Sequence, residues 1–172
     1  MVLSVLRWLH QLVIGMLKMI TQGILKSLFE YNPLTGEFKR NGALVNNKLK
    51  NGYLRIGILG GSYAAHRLSW LYVYGKFPIN MIDHINGIRA DNRIENLRDV
   101  TCAINNQNRR NCTNNKKTTK TLGVTYIKSR NKFEAQLKLN GKKIYLGRFN
   151  TLEEASKKYI ASKRKYHAGC TI

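Results

Sequence analysis

The stretch Arg109 to Thr121, RRNCTNNKKTTKT, most limits what this chain can fold into. It is polar, basic and low in apolar side chains, so it has little to bury and reads as a boundary between folding units. A basic linker can also lie along phosphates. The patterns on its two sides differ. Ahead of it, short strand signals mix with helical spacing; behind it, three alternating segments lead into one capped helix. With 172 residues there is room for one domain or two small ones. Hydrophobic residues make up 43%, which supports a packed core and argues against wholesale disorder.

Lys and Arg total 30 against 9 Asp and Glu, a formal charge of +21. That balance favours a polyanionic partner, either nucleic acid or an anionic membrane surface. A merely basic protein would show the same composition. Because acids are scarce, their positions are informative. Asp83, Asp91, Glu95 and Asp99 fall close together. In a chain built for polyanions such a cluster repels its own ligand, unless a cation sits there or the acids balance Arg89, Arg93 and Arg98. Cys102, Cys112 and Cys170 form no CxxC pair, which argues against a zinc ribbon or knuckle and fits a reducing environment.

From Met1 to Ile20, Leu3, Leu6, Leu9, Val13, Leu17 and Ile20 lie largely on one helical face. Ser4, Arg7, Gln11, Gly15 and Lys18 lie on the other. Three readings stand: a helix packed on the domain, a helix for a membrane surface or partner, or an extension outside the domain, with Met16 and Met19 as alternative starts. Phe29 to Arg40 reads as strand, turn, strand, with turn formers at Asn32-Pro33 and Thr35-Gly36. Tyr53 to Leu59 predicts a strand, Gly60-Gly61 a turn, and His66 to Tyr74 a helix ended by Gly75 and Pro78. Ile79 to Ile85 predicts a strand, with a return strand through Ile94 to Val100. Thr101 caps a helix of two to three turns carrying Asn105 and Asn108.

This spacing sets Asp83-His84, Asn92, Asn96, Asn105 and Asn108 within a short span. A neutral His can take a proton from water, and a divalent cation can relieve charge on a phosphodiester and its leaving oxygen. Mg²⁺ is satisfied by one carboxylate, an amide oxygen and several waters. A hairpin followed by a helix would bring Asp83-His84 and Asn105 together. One tension stands: neighbours on a strand point to opposite faces, so Asp83 and His84 need a bulge or twist to meet at one phosphate.

The segments AAHRLSW, IDHINGIRADNRIENLR and VTCAINNQNRR resemble the HNH endonucleases of phages and self-splicing introns, with their ββα-metal core. FEYNPLTGEF and YLRIGI resemble their lead-in, a pattern in which the protein would begin near Met19. The resemblance covers roughly Leu28 to Arg110. It implies His84 as general base, Asp83 and Asn105 as ligands of Mg²⁺ or Mn²⁺, and Asn96 as the residue that holds the loop. The last HNH position is Asn105 here, where some branches use His. Asn92 and His66-Arg67 also match, in structural or phosphate-contact roles, and His66 is grouped with the catalytic set. Arg67, Arg93, Arg98, Arg109 and Arg110 are the DNA-contact candidates of this half.

Beyond the basic segment, Gly123 to Arg130, Lys132 to Leu139 and Lys142 to Phe149 alternate, with turns at Asn131 and Asn140-Gly141. Thr151 and Glu154 form a capping-box signature ahead of a helix. Period two places Ala135, Leu137, Ile144 and Leu146 under that helix. Gln136, Lys138, Lys143 and Tyr145 then lie on an exposed face suited to a DNA groove. This order resembles the Apetala/ethylene-response (ERF-type) DNA-binding domain. The resemblance implies those four residues as groove contacts. Thr125 stands where that domain usually has a base-reading Arg, and Tyr145 where it usually has Trp.

The expectation is thus an α+β chain. Residues 1–27 form an amphipathic helix or extension, 28–110 an HNH nuclease domain, 111–121 a basic linker, and 122–172 a three-stranded antiparallel sheet plus helix of ERF type. The expected activity is hydrolysis of double-stranded DNA by a phage-encoded homing endonuclease in the bacterial cytoplasm. It would act as a monomer or weak dimer, with no small-molecule substrate and no stable membrane association. The rival expectation is a DNA-binding regulator with a degenerate HNH centre. An RNA ligand is a third, set back by the narrow major groove of A-form RNA.

Overall fold

The computed structural model describes residues 20–110 and 119–172. All of the helix pattern expected over Met1 to Ile20 except its last residue, and most of the basic linker, lie outside the described residues. Two units emerge. The first takes in the described residues up to His84 together with Ile88–Asp99; the second takes in Ile85–Gly87 and the described residues from Val100 onward. Residues 100–110, expected with the nuclease domain, are therefore grouped with the C-terminal sheet.

In the first unit, Thr21 opens helix α1 (Gln22–Leu28), most of which falls within the span 1–27 expected as a helix or extension, its hydroxyl accepting from the Ile24 N–H. Leu25 is buried beneath it. Strands β1 (Glu30–Asn32), β2 (Glu37–Arg40) and β3 (Ala43–Leu44) form an antiparallel sheet that pairs Tyr31 with Phe38. Both rings point into the core, as the alternation requires. Asn32 closes the β1–β2 turn by accepting from the Leu34 N–H at 2.9 Å. A second sheet follows, β4 (Asn47–Lys48), β5 (Leu54–Ile58) and β6 (Gly61–Ala64).

Helix α2 (Ala65–Tyr74) buries Ala65, Leu68, Ser69 and Leu71 and stops at Gly75, whose φ of 76° suits a glycine. Its apolar stripe packs with Leu25, Phe29, Phe38 and Ile56 in one core. Strands β7 (Met81–His84) and β8 (Leu97–Val100) then pair, joined by a loop with a short 3₁₀ turn at Ile94–Asn96.

The second unit begins with α3 (Cys102–Gln107), capped by the Thr101 hydroxyl. It is shorter than the two to three turns expected. Asn108 ends it, its N–H shared between the Asn105 and Asn106 carbonyls and its side-chain amide donating to the Ile85 carbonyl at 3.3 Å.

The sheet of β9 (Val124–Ile127), β10 (Lys132–Leu139) and β11 (Lys142–Phe149) has the order β11-β10-β9. Asn140 and Gly141 both take positive φ in the β10–β11 turn. Helix α4 (Leu152–Tyr166) starts with the expected capping box, Thr151 and Glu154 bonding reciprocally. Val124, Ala135, Leu137, Ala155 and Tyr159 form the core. Among the described residues, no helix is long and apolar enough to cross a membrane.

Candidate functional site

Strand β7 ends on the pair Asp83-His84. Both side chains are buried, at 6% and 4% exposure. Their surroundings differ. The Oδ2 of Asp83 accepts from Nη2 and Nε of Arg98, on the paired strand β8, at 2.7 and 2.9 Å. The ring of His84 lies edge-on to His66 with centroids 5.2 Å apart, and 5.8 Å from Tyr53. Its Nε2 stands 3.3 Å from Oδ1 of Asn92.

Burial pushes the His84 pKa below the ordinary histidine value, against the raising effect of the Asn92 contact and of Asp83. Burial, then the charges of His84 and Arg67, lowers His66 further, to about 4. Two neutral imidazoles therefore stand together near pH 7.

Asn92 is 1% exposed and sits at a junction. Its backbone carbonyl accepts from the Tyr31 hydroxyl at 2.7 Å, and burial raises that hydroxyl to about 12. The Asn92 loop is pinned from the other side by Gly36, with φ +75°. A Cβ at Gly36 would lie 2.6 Å from the Asn92 carbonyl carbon and would collide with the Arg93 nitrogen. The Nδ2 of Asn92 and the Nδ1 of His66 are buried without a hydrogen-bond partner among the described residues. Asn92 was expected only as a structural or phosphate contact. Its place against the His84 ring had no local signal, because it depends on how the loop folds back. Asn96 donates from Nδ2 to the Asp91 carbonyl at 2.8 Å, a bond that closes the loop.

The acids that cluster in sequence disperse in space. Asp91 and Glu95 both bridge to Arg93, at 2.7 and 2.9 Å. Asp83 takes Arg98. Asp99 accepts from the backbone N–H groups of Ile79 and Asn80 at 2.8 and 2.9 Å. Among the described residues no group of three or more His, Cys, Asp or Glu is arranged to hold a metal ion. The arginines expected at phosphates also have protein partners. Arg67 donates to the carbonyls of Asn80 and Pro78 and lies over Phe77.

In the second unit, Asn105 lies half-buried on α3. Asn108 is buried and accepts from the Thr171 hydroxyl, and Arg110 donates to the Ile85 carbonyl and to Thr171. The Arg109 carbonyl accepts from Lys163, whose amine burial makes less basic.

The outer face of β10 and β11 carries the expected Gln136, Lys138, Lys143 and Tyr145. Gln136 pairs with Tyr145 and Lys138 with Lys143. Glu134 and Arg148 also share this face, paired with each other and salt-bridged at 2.9 Å. Strict alternation in β11 assigns Arg148 to the same side as Leu146. An irregularity in the β10–β11 register turns it outward.

Residues 63–107 match the model of the HNH endonuclease family. The match runs from β6 through α2, β7, the loop and β8 into α3, so it covers His66, Asp83, His84, Asn92, Asn96 and Asn105. It supports a nuclease. No curated protein and no solved structure matches the chain.

Proposed function

We propose that the chain is a metal-dependent DNA endonuclease of the homing type, an HNH centre followed by an ERF-type DNA-binding domain. The observation that carries this reading is the buried pair Asp83-His84, inside the matched stretch, with a histidine that burial holds neutral.

With Nε2–H of His84 donating to Asn92 Oδ1, the lone pair lies on Nδ1, which accepts the proton of the attacking water. His66 and Tyr53 wall the ring and keep it dry. Asn96 keeps the loop closed so that Asn92 stays in place. Arg98 holds Asp83 by its Oδ2.

The Asp83 carboxylate at the end of β7 offers the hard oxygen that Mg²⁺ or Mn²⁺ takes, and the HNH resemblance assigns the second ligand to the amide oxygen of Asn105. When bound there, such an ion supplies charge relief on the phosphate and at the leaving oxygen. The products are 5′-phosphate and 3′-hydroxyl ends. One centre per chain makes a monomer nick. The C-terminal sheet grips nearby duplex through Gln136, Lys138, Lys143 and Tyr145, with Arg67, Arg109 and Arg110 adding positive charge along the backbone, while Arg93 and Arg98 are taken up by acids of the same loop and of the paired strand.

One observation favours a second reading. The Arg98 guanidinium already neutralises Asp83, as it would in a DNA-binding protein whose centre no longer cleaves. Supercoiled plasmid separates the two. Nicking by wild type in Mg²⁺ or Mn²⁺, lost in EDTA and lost in His84→Ala, supports the enzyme. A wild type that binds duplex and never nicks leaves the binding protein.

A further inference from the structure

On the outer face of the C-terminal sheet one carboxylate stands among cations. Glu134 lies on β10, opposite Arg148 of β11. Its Oε2 accepts from Arg148 Nε at 2.9 Å, and its Oε1 accepts from the side-chain amide of Gln136. The Arg148 guanidinium lies over the Tyr145 ring, 5.8 Å from its centroid. The β10–β11 register makes this assembly possible. Ala135 pairs with Gly147 and Gln136 with Tyr145, so Leu146 is the extra residue of a bulge. Gly147 takes φ +128° there, a conformation that side chains rarely adopt. The bulge moves Arg148 onto the face that carries Gln136 and Tyr145.

A carboxylate on a surface meant for phosphates weakens binding by repulsion. Glu134 is spent on orientation instead. Its bond to Gln136 uses one of two amide hydrogens, so the carbonyl oxygen and the other N–H can still pair with adenine N6 and N7. Its bond to Arg148 uses Nε, so the terminal Nη groups can face guanine O6 and N7. The exposed Lys138 and Lys143 at the other end of the strands suit phosphates.

We propose that Glu134 is a specificity-determining positioning residue. It aims Gln136 and Arg148 at adjacent bases in the major groove of duplex DNA, at a cost in affinity. This rests on the reading of the sheet as a DNA-binding surface.

The test selects bound duplexes from a randomised pool with the full chain in EDTA, comparing wild type, Glu134→Ala, Glu134→Gln and Gln136→Ala. Wild type is expected to enrich a short motif containing adjacent G and A. Glu134→Ala should bind the unselected pool several-fold tighter, with a steeper salt dependence, while its motif flattens at those two positions. Glu134→Gln, which keeps a hydrogen-bonding amide, serves if the alanine variant fails to fold, and should flatten the G position. Gln136→Ala should flatten only the A position.

A Glu134 variant that keeps the wild-type motif, or that binds the unselected pool more weakly while folded, overturns the assignment of Glu134 alone. A wild type that enriches no motif, or a motif unchanged in Gln136→Ala, overturns the underlying reading of the sheet as a base-reading surface.

Discussion

At the end of β7, two ionisable side chains are buried, and the acids around them are held by Arg93 and Arg98 within the protein. On the outer face of β10 and β11, Lys138, Lys143 and Tyr145 are exposed beside the ion pair Glu134–Arg148. The first arrangement suits chemistry on one bond, where burial changes proton affinity and a fixed ring can wait for a water. The second suits recognition, where long side chains must reach a partner. A change at β7 should therefore alter rate and acid stability, and a change on the sheet face should alter affinity and base preference.

The largest expected effect is on chemistry. His84→Ala should lower plasmid nicking by roughly 10²–10⁴-fold, the usual contribution of a general base, while filter binding of duplex changes little. A parallel loss of binding would break the division between the two regions. Next comes Leu137→Ala, in the core beneath the sheet face. Loss of a fully buried Leu costs about 2–5 kcal/mol, read as a lower denaturation midpoint. If the division holds, affinity for duplex should fall with it, while nicking at saturating DNA survives in whatever folded fraction remains.

Acid stability sharpens the β7 side. His66 is lowered to about 4 in the fold from 6.5, so the unfolded chain binds the proton more readily between those values. Stability conferred by neutral His66 is complete above about 6.5 and is lost as pH falls through about 4, a span worth up to about 3 kcal/mol. Denaturation curves at pH 7 and pH 5 should show this loss in wild type and a smaller one in His66→Phe. The smallest effect is on the sheet. Lys138→Ala should weaken binding modestly and lower the salt slope by about one, with the nicking rate of bound complexes unchanged. An unchanged slope would remove Lys138 from the phosphate contacts.

Local patterns carried much of the fold. The strand pairs at Tyr31–Phe38, the helix stopped by Gly75, the Asn140-Gly141 turn and the Thr151–Glu154 box all follow from residue chemistry within a few positions. Helix α1 falls largely inside the span read as a helix or extension, but its start at the Thr21 cap was not legible, because the apolar run ahead of it carries the same helical spacing. The acid cluster was legible as a cluster, and its balance by Arg93 and Arg98 was one of the two readings the sequence offered; the capture of Asp99 by the Ile79 and Asn80 backbone was not legible. Ion-pair partners are chosen by where long side chains end in space.

Sequence by itself determined the alternation of β10, the Thr101 and Thr151 caps, the excess of positive charge and the likeness of residues 63–107 to an HNH endonuclease, because these are set by local backbone preference and by the order of residue types. Only the tertiary structure decided that Asn92 and His66 border the His84 ring and that Gly36 buttresses the loop that carries Asn92. It also decided that Arg148 joins the outer face. In a strand every side chain's direction depends on a count of two, and the single extra residue at Leu146 reverses that count for everything after it.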